Sequence, residues 1–237
     1  MADMTTLETD ISVESANGSV STVILPFEKT GEYYVESLGE VHTNPVYAFF
    51  KRAFDMFCSG MALLVLLLPM ALIGLLIKLT SKGPVFYRQE RLGLNGKKFD
   101  VVKFRSMKVD AEAGGAQWST GDDDPRITKF GSFLRKSRLD ELPQLWCIFV
   151  GDMSIVGPRP EREMFYDEFE KYIHGFHERL KVVPGLTGLA QVNGGYDLKP
   201  EEKVVLDVEY IKTRNFWVDI KIIFKTVAVV FTHDGAK

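Results

Sequence analysis

The longest uncharged stretch of the chain covers residues 56–77, a run of 22 positions without Asp, Glu, Lys or Arg. As an α-helix it would extend about 33 Å, which matches a bilayer hydrocarbon core of about 30 Å. Pro69 lies inside this run, where a proline removes a backbone hydrogen bond and bends the helix. The pattern predicts a bent membrane helix with arms at 56–68 and 70–77, and a long buried core helix is the less favoured alternative.

Basic residues flank both ends of this run, with Lys51 and Arg52 before it and Lys78 and Lys82 after it. An excess of Lys and Arg marks the cytoplasmic side of a membrane segment. The flanks alone leave two topologies open, a helix that crosses the bilayer once and a re-entrant helix that turns back. A bend at Pro69 favours the re-entrant form, because both flanks then rest on the cytoplasmic face.

The rest of the pattern combines β-prone runs with helical runs, which predicts a helix-rich α+β fold. Asn95-Gly96 separates two β-prone runs and suits the positive dihedral angles of a tight turn. The last apolar run is expected to form a helix in the core or flat at a membrane interface. The predicted elements are a β-hairpin over 85–104, helices on either side of a break at Leu142-Pro143, a helix over 161–181, a loop at 183–195, and helices over 200–213 and 216–231.

Charge is distributed unevenly between the two ends of the chain. The 237 residues carry a net charge of −3, but residues 1–47 hold eight acids and only one base, so the remainder is about +4. A basic body suits anionic partners such as phosphorylated substrates or an anionic leaflet. We predict three parts: an acidic, poorly ordered leader at 1–45 with one short strand, a re-entrant membrane helix at 46–82, and a cytoplasmic domain at 83–237.

Cysteine usage and the N-terminus narrow the class of protein further. Cys58 and Cys147 are the only cysteines, which supports neither a disulfide framework nor a thiolate metal site and favours a reducing compartment. The N-terminus lacks a basic segment followed by an apolar one, so we expect no cleaved signal peptide. Membrane targeting is then expected to depend on the apolar run.

The stretch "LRKSRLDELPQL" is the strongest candidate for chemistry. Asp140 and Glu141 follow several bases, among them Arg135, and precede Pro143, which suits the first position of a new helix. Free backbone N–H groups at that helix end would favour phosphate. An aspartate there is suited to nucleophilic attack on phosphorus, and Mg²⁺ held by the two carboxylates would offset the charge. The alternative is that the acids pair with neighbouring bases and cap a helix.

Other cations could complete a phosphate site. Pro158 and Pro160 restrict the backbone around Arg159, and a fixed guanidinium binds phosphate well in a bidentate manner. Lys103 and Arg105 end the second hairpin strand, where alternation sends both side chains to one face. The alternatives are that Arg159 lies in an exposed turn and that Lys103 and Arg105 lie on a solvated face of the sheet.

Two further groups of residues have weaker claims to bind a metal. The triplet Asp122 to Asp124 precedes a proline. It suits either a metal site or an ordinary turn, since acidic residues before proline are common turn formers. His174 and His177 are three apart on the predicted helix, but the acids near them lack clear ligand spacing. We expect a surface or buried histidine pair rather than a metal site.

Several motifs in order along the chain resemble the bacterial sugar transferases known as monotopic phosphoglycosyl transferases. The resemblance is carried by "KRAFD", the proline-containing apolar run, "GPVFYRQERLG", "KFRSM", "DPRITKFGSFLRKSRLDELPQL", "GDMSIVGPRPE" and "VPGLTGLAQVNG". It covers about four fifths of the chain, from about Lys51 onward.

The resemblance implies an enzyme that transfers a sugar-1-phosphate from a UDP-sugar to undecaprenyl phosphate, with Mg²⁺ and release of UMP. It implies that Asp140 is the nucleophile and that Glu141 is its acid/base or metal-site partner. Arg135 and Arg159 are expected to hold phosphate. The expected location is the cytoplasmic face of the bacterial inner membrane, at the start of exopolysaccharide, capsule or O-antigen assembly. Membrane lipids, and a second copy or assembly proteins, are expected partners, and nucleic acid is not.

The chain departs from the family pattern at two positions. Gly195 follows "QVNG" where many members have an arginine linked to the nucleotide, and Leu68 precedes Pro69 where many have serine. A serine hydroxyl could satisfy a carbonyl freed by the proline, so its absence bears on the re-entrant bend. Two other functions are weighed against the enzyme: a silent membrane scaffold, and an ordinary glycosyltransferase that binds metal through its acidic triplet and releases UDP.

Overall fold

The computed structural model describes residues 9–14, 20–25, 31–111, 124–194 and 198–232. Within them the fold is helix-rich α+β, as the pattern predicts, and its strands form four two-stranded sheets. The helices are α1 Pro45–Val65, α2 Leu67–Thr80, α3 Lys129–Lys136, α4 Gln144–Val150, α5 Glu163–Glu170, α6 Leu189–Val192, α7 Pro200–Thr213 and α8 Phe216–Thr232. The strands are β1 Thr9–Glu14, β2 Val20–Leu25, β3 Tyr33–Tyr34, β4 Phe86–Leu92, β5 Lys98–Phe104, β6 Ser154–Val156, β7 Ile173–His174 and β8 Gly185–Thr187.

The apolar run forms the helix pair α1 and α2, which meet at Leu66 with a bend of 61°. In the described part of the chain no single helix is long and apolar enough to cross a membrane. The two helices of this bent pair reach that length and apolar composition only together. The predicted bend is present, but the helix breaks at Leu66, three residues before Pro69. Pro69 lies in the first turn of α2, where a missing N–H is tolerated, and its ring disfavours continuing the helix through the carbonyl of Val65.

The hairpin β4–β5 agrees with the prediction for residues 85–104. Its strands are antiparallel, with Phe86 opposite Phe104 and Leu92 opposite Lys98. At the tip, Asn95 has φ 54° and Gly96 has φ 76°, and the N–H of Lys97 donates to the carbonyl of Leu94. Two successive positive φ angles inside this hydrogen-bonded turn are the conformation that Asn-Gly favours.

Residues 161–195 are more segmented than predicted. The expected helix over 161–181 is wrong beyond Glu170, because Gly175 adopts φ 97° and the chain continues as β7 and a 3₁₀ helix at Phe176–Lys181. The expected loop at 183–195 instead contains β8 and α6. β7 and β8 form because each pairs in parallel with a distant strand, β3 and β6 respectively. The helix α7 at 200–213 is as predicted.

The segment before α1 is attached to the rest of the fold. β1 and β2 pair antiparallel, and with β3 the described part of the leader holds three strands rather than the one predicted. Farther along, β3 pairs with β7, the N–H of Leu38 donates to Glu178 at 2.8 Å, and Glu36 forms an ion pair with Lys212. Residues 33–41 therefore lie against the part of the chain that follows α2.

Buried polar contacts fasten α1 to β6 and α8. The Asp55 carboxylate accepts hydrogen bonds from the hydroxyl of Ser154 at 2.7 Å and from the N–H of Ile155 at 3.1 Å. Lys51 forms a 2.8 Å ion pair with Asp219 and donates to the carbonyl of β6 residue Val156. These contacts matter for function because β6 leads directly into the loop that carries Arg159.

Candidate active site

The adjacent acids Asp140 and Glu141 lie on a 3₁₀ turn, Leu139–Glu141, between α3 and α4. The residue before the turn, Arg138, has φ 55° and ψ 16°. This left-handed backbone conformation is uncommon for residues other than glycine. This reversal ends α3 and brings the dyad to the wall of a cavity. Pro143 is the residue before α4, one position earlier than the first helical position predicted for it.

Glu141 is held by two cations. Its Oε1 accepts hydrogen bonds from Lys103 at 3.0 Å and from the guanidinium of Arg159. Burial opposes ionisation of this carboxyl, but the charges of Arg159 and Lys103 outweigh it and hold its pKa well below the ordinary range. Glu141 is therefore a fixed anion that orients both cations.

Asp140 differs from its neighbour in having no hydrogen bond or ion pair with any described residue, although it is 8% exposed. Burial raises its pKa to about 6, and Glu141 adds to the rise while Lys103, Arg135 and Arg159 oppose it. At neutral pH this carboxylate is ionised, poorly solvated and unengaged. Those properties suit a nucleophile.

The dyad opens on a cavity of about 720 Å³ between the hairpin, α3, the segment after β6, α7 and α8. Cations dominate its charged lining, and carboxylates are fewer. The lining cations are Arg91, Lys103, Arg105, Lys108, Arg126, Arg135, Arg138, Arg159, Arg162, Arg179 and Lys203. The lining acids are Asp140, Glu141, Glu161 and Asp207. Such a cavity favours a substrate with several negative charges.

The loop that carries Arg159 is fixed by backbone contacts on both sides. The N–H of Gly157 donates to the carbonyl of Thr187, and that of Gly185 donates to the carbonyl of Pro158, both at 2.8 Å. A Cβ on Gly185 would lie only 2.0 Å from the nitrogen of Gly157, so this approach requires glycine. Because these backbone contacts fix the loop on both sides of Arg159, its side chain reaches Glu141 from a fixed position.

The predicted phosphate-binding residues do not all lie beside Asp140. Lys103, Arg135 and Arg159 all surround Asp140 closely enough to influence its ionisation. Arg105 also lines the cavity, but its Nη2 donates to the carbonyl and hydroxyl of Ser81 at the end of α2. Pro158 and Pro160 are buried and flank Arg159 as expected. Phosphate binding by these residues stays a prediction.

The weaker candidates are distributed elsewhere or lie outside the described residues. Asp124 is bound through both oxygens by Arg126, at 2.5 to 3.0 Å, and Asp122 and Asp123 lie outside the described residues. His174 stacks on Tyr34, and His177 contacts Glu170 at 2.7 Å. The histidines lie on a strand and a 3₁₀ helix, not on the predicted helix. The departure at Gly195 also falls outside the described residues.

Sequence reasoning missed a buried charge network behind Arg159. Arg179 pairs with Asp207 at 2.7 Å, and its Nη2 donates to the backbone carbonyl of Arg159 at 2.9 Å. Arg91 pairs with Glu161 at 2.6 Å. One signal was available, because Asp207 lies on the apolar face of α7 with Val204 and Val208, where a charge needs a buried partner.

The dyad fits the Mg²⁺ that the family resemblance implies. No group of three or more His, Cys, Asp or Glu side chains with metal-site spacing occurs among the residues the structure describes. Mg²⁺ nevertheless needs only one or two protein carboxylates when substrate phosphates supply other ligands. Asp140 offers uncommitted oxygens, whereas Oε1 of Glu141 is already bound by Lys103 and Arg159. Asp140 is thus the better placed of the two predicted ligands.

Comparison with known proteins identifies the family. The model of the family described as "Bacterial sugar transferase" matches residues 46–233, most of the chain. The chain belongs to the bacterial sugar transferases. The match begins within one residue of α1 and ends one residue after α8. It therefore includes the helix pair as well as the cavity.

Named relatives in this family share about two fifths of their residues with the chain. A protein of Aeromonas hydrophila, "UDP-N-acetylgalactosamine-undecaprenyl-phosphate N-acetylgalactosaminephosphotransferase", is 39% identical over 212 residues, 88% of this chain and 50% of its own length. "UDP-glucose:undecaprenyl-phosphate glucose-1-phosphate transferase" of Escherichia coli K12 is 44% identical over 191 residues, 78% of this chain and 41% of its own length. "Undecaprenyl-phosphate galactose phosphotransferase" of Salmonella typhimurium is 41% identical over 203 residues, 79% of this chain and 42% of its own length.

The chain spans about half the length, or less, of these curated relatives. Their names specify three different sugars on one common acceptor, undecaprenyl phosphate.

Proposed function

We propose that this bacterial sugar transferase transfers a sugar-1-phosphate from a UDP-sugar to undecaprenyl phosphate. The observation that carries the proposal is the unengaged, buried carboxylate of Asp140 on a cationic cavity, beside Glu141 that fixes Lys103 and Arg159. The names of the relatives support the donor and acceptor classes. A silent scaffold would have no use for an unpaired buried carboxylate, which costs stability.

In the first step, an oxygen of Asp140 attacks the phosphorus that carries the sugar. The bond from this phosphorus to the bridging oxygen breaks, and UMP leaves with the electron pair. Lys103, Arg135 and Arg159 hold the phosphate oxygens and offset their charge. When bound at Asp140, Mg²⁺ would supply further charge stabilisation to the diphosphate.

In the second step, a phosphate oxygen of undecaprenyl phosphate attacks the same phosphorus of the aspartyl phosphosugar. The bond from phosphorus to Asp140 breaks, which restores the carboxylate and gives a lipid-linked diphosphate sugar. Glu141 keeps its two cations in place through both steps.

We also propose that α1 and α2 sit in the cytoplasmic leaflet of the inner membrane as a re-entrant pair. The side chains around the bend are strongly apolar and exposed, including Leu64, Val65, Leu67 and Leu68, the last at 80%. Burial of such side chains in lipid removes their cost in water. The acceptor is a lipid and the donor is soluble, so a cavity at the headgroup plane would meet both.

Purified protein with Mg²⁺, undecaprenyl phosphate and a panel of UDP-sugars tests the reaction. The panel should include UDP-glucose, UDP-galactose and UDP-N-acetylgalactosamine, and we expect UMP and a lipid-linked product from at least one. Absence of UMP from every donor, with folded protein, would contradict the proposal. Release of UDP would instead support an ordinary glycosyltransferase.

The covalent step has its own test. After rapid acid quench without acceptor, mass spectrometry should find one phosphosugar on the peptide that contains Asp140. Asp140→Asn should lose the adduct and at least about 10³-fold of the turnover. Asp100→Asn is the matched control, because Asp100 is exposed on the hairpin and does not line the cavity. Asp100→Asn should retain both the adduct and the turnover. An adduct in Asp140→Asn protein would rule out Asp140 as the nucleophile.

A further inference from the structure

One wall of the cavity differs from the rest of the lining, because the described residues that form it are all uncharged. It is built by β8 and α6 on one side and by α8 on the other. The lining residues of this wall are Leu186, Thr187, Ala190, Gln191, Val192, Ile223, Thr226, Val227 and Val229. Three of them, Thr187, Gln191 and Thr226, are polar, and we call these three the amide–hydroxyl cluster. None of them has a role in the two steps above.

The side-chain amide of Gln191 makes no hydrogen bond with any residue that the structure describes. Its Oε1 and its Nε2 are both buried without a partner. A buried amide in this state destabilises the folded protein, because it has lost its hydrogen bonds to water and has gained none in return. Turning the amide toward the cavity would break no hydrogen bond, so the side chain is free to bond a ligand there.

The two threonines of the cluster are able to accept hydrogen bonds from a ligand, but their protons are already used. The hydroxyl of Thr226 donates to the carbonyl of Ile222 at 2.8 Å, and it lies 2.7 Å from the hydroxyl of Thr187. A hydroxyl has a single proton, so Thr187 is the donor in the bond between them. Both oxygens keep lone pairs for further bonds.

The amide–hydroxyl cluster therefore presents more acceptors than donors. Oxygens of all three side chains are able to accept, whereas only Nε2 of Gln191 is able to donate. Phosphate oxygens accept, so a phosphate is a poor match for this cluster. A uracil ring has one N–H to donate, but a hexose has several hydroxyls that each donate and accept. The cluster thus favours a sugar.

Backbone contacts place the cluster beside the loop that carries Arg159. The N–H of Gly157 donates to the carbonyl of Thr187 at 2.8 Å. A Cβ on Gly188 would lie 2.2 Å from the carbonyl oxygen of Gly157 and 2.7 Å from Oε1 of Gln191, so the two oxygens flank one point. In the donor, the sugar is attached directly to the phosphorus that reacts, and the uracil lies farther away. A site next to this loop therefore suits the sugar.

We propose that the amide–hydroxyl cluster binds the hydroxyl groups of the donor's sugar and that Gln191 contributes to the choice of sugar. This proposal rests on the proposed function. Nε2 of Gln191 would donate to one sugar hydroxyl, while its Oε1 and the oxygen of Thr187 would accept from others. A site that bonds a hydroxyl discriminates against an analogue that lacks it, because the polar groups of the site are then left unpaired.

The isoprenoid chain of the acceptor is the alternative occupant of an uncharged wall. Hydrocarbon against this wall would leave the amide of Gln191 and the lone pairs of both threonines without partners, which costs free energy. A sugar offers hydroxyls to the polar groups and C–H groups to apolar neighbours such as Ala190 and Ile223. The sugar is therefore the better match.

Donor binding to Gln191→Met protein tests the cluster, because methionine has a side chain of similar length and lacks the amide. In an Asp140→Asn background with Mg²⁺, where no turnover is expected, calorimetry measures Kd for UDP-glucose, UDP-galactose, UDP-N-acetylgalactosamine and UDP. Gln191→Met should raise the Kd of the tightest-binding UDP-sugar about tenfold or more and leave that of UDP within about twofold. An equal rise for UDP would assign the amide to the nucleotide, or to the fold, and would overturn the sugar subsite.

Asn193→Leu is the matched control, since it removes an amide three residues or fewer from the cluster. Asn193 is exposed at the end of α6, its amide bonds the carbonyl of Leu189 and the ammonium of Lys225, and it does not line the cavity. Each Kd should stay within about twofold of the Asp140→Asn value.

Thr187→Val is an independent variant that serves also if Gln191→Met does not fold. Valine has nearly the shape of threonine and suits a strand, but it has no oxygen to accept from a sugar. The Kd of the same UDP-sugar should rise about threefold or more, again without a change for UDP. A Kd for the UDP-sugar that stays within about twofold in the folded variants would overturn the subsite.

Failure of this proposal and failure of the proposed function give different results. If UDP-sugars bind and the cluster variants leave their Kd unchanged, the sugar subsite is wrong and the proposed function stands. If no UDP-sugar binds to Asp140→Asn protein and the wild type releases no UMP, both proposals are contradicted.

Discussion

At the scale of single residues, Asp140 is destabilising at neutral pH, because its carboxylate is buried without a described hydrogen-bond partner. Its pKa is raised from 3.8 to about 6, so the folded state holds the proton more tightly than the unfolded state. Stability contributed by the protonated form is therefore lost as the pH rises from about 4 to about 6.

Asp140→Asn should thus stabilise the protein while it abolishes turnover. We expect the free energy of unfolding to rise by about 1 to 3 kcal/mol at pH 7.5, from a pKa shift of about two units. Denaturant unfolding of both proteins in the same detergent would measure it, and the gain should shrink as the pH falls from about 6 to about 4. Unchanged or lower stability at pH 7.5 would contradict the assigned environment of Asp140.

The same ionisation should appear in the pH dependence of catalysis. Since attack needs the carboxylate, kcat/KM for the donor should fall about tenfold per pH unit below an apparent pKa of about 6. Lys103→Met should move this limb to higher pH, because Lys103 favours the charged form of Asp140. A limb near pH 4 in the wild type would argue against Asp140 as the titrating group.

At the scale of elements, β6 connects the helix pair to the active site. Asp55 on α1 accepts from Ser154 and Ile155, and Arg159 follows the end of β6 by three residues. The strand is short, so its position depends on these contacts. Movement of α1 is therefore expected to reach the loop that carries Arg159.

Asp55→Ala should leave the buried hydroxyl of Ser154 and the part-buried N–H of Ile155 unpaired, and should lower the free energy of unfolding by about 2 to 4 kcal/mol. Turnover should fall about tenfold or more even where the variant remains folded, because Arg159 loses its fixed position. Ser59→Ala is the control, since Ser59 is buried one turn along α1 and bonds only carbonyls of its own helix. Equal effects of both variants on turnover would exclude a specific role for Asp55.

Local pattern was enough to predict the hairpin and α7, because turn chemistry and apolar spacing determine such elements within a few residues. It was not enough for β7 and β8, which have two and three residues and exist only through distant partners. The dyad was selected as a candidate from its adjacent charges, and its predicted catalytic role rested on the family resemblance. The Arg179–Asp207 pair was not, because 28 residues separate its members and no local rule brings them together.

At the scale of the whole molecule, both ends of the helix pair are attached to the same body. Arg105 reaches Ser81 at the end of α2, and Lys51 reaches Asp219 near the start of α1. Residues 33–41 contact that body as well. Attachment at both ends supports a re-entrant topology over a crossing one, because a crossing helix would separate them.

Cysteine labelling should place both sides of the helix pair in the cytoplasm. In protein lacking Cys58 and Cys147, Glu40→Cys and Lys97→Cys present exposed positions before α1 and at the hairpin tip. A membrane-impermeant maleimide should label neither in intact cells and both in inverted vesicles. Labelling of Glu40→Cys alone from outside would show a crossing helix.

The contacts that fasten α1 also limit how the protein can be shortened. The guanidinium of Arg52 donates to the carbonyls of Ile148 and Phe149, which lie in the last turn of α4. A fragment beginning after residue 82 would lose this cap, the partner of Ser154 and the counterion of Asp219 together. The helix pair is thus a structural member of the catalytic body, and solubility has to come from detergent or designed surface changes rather than from its removal.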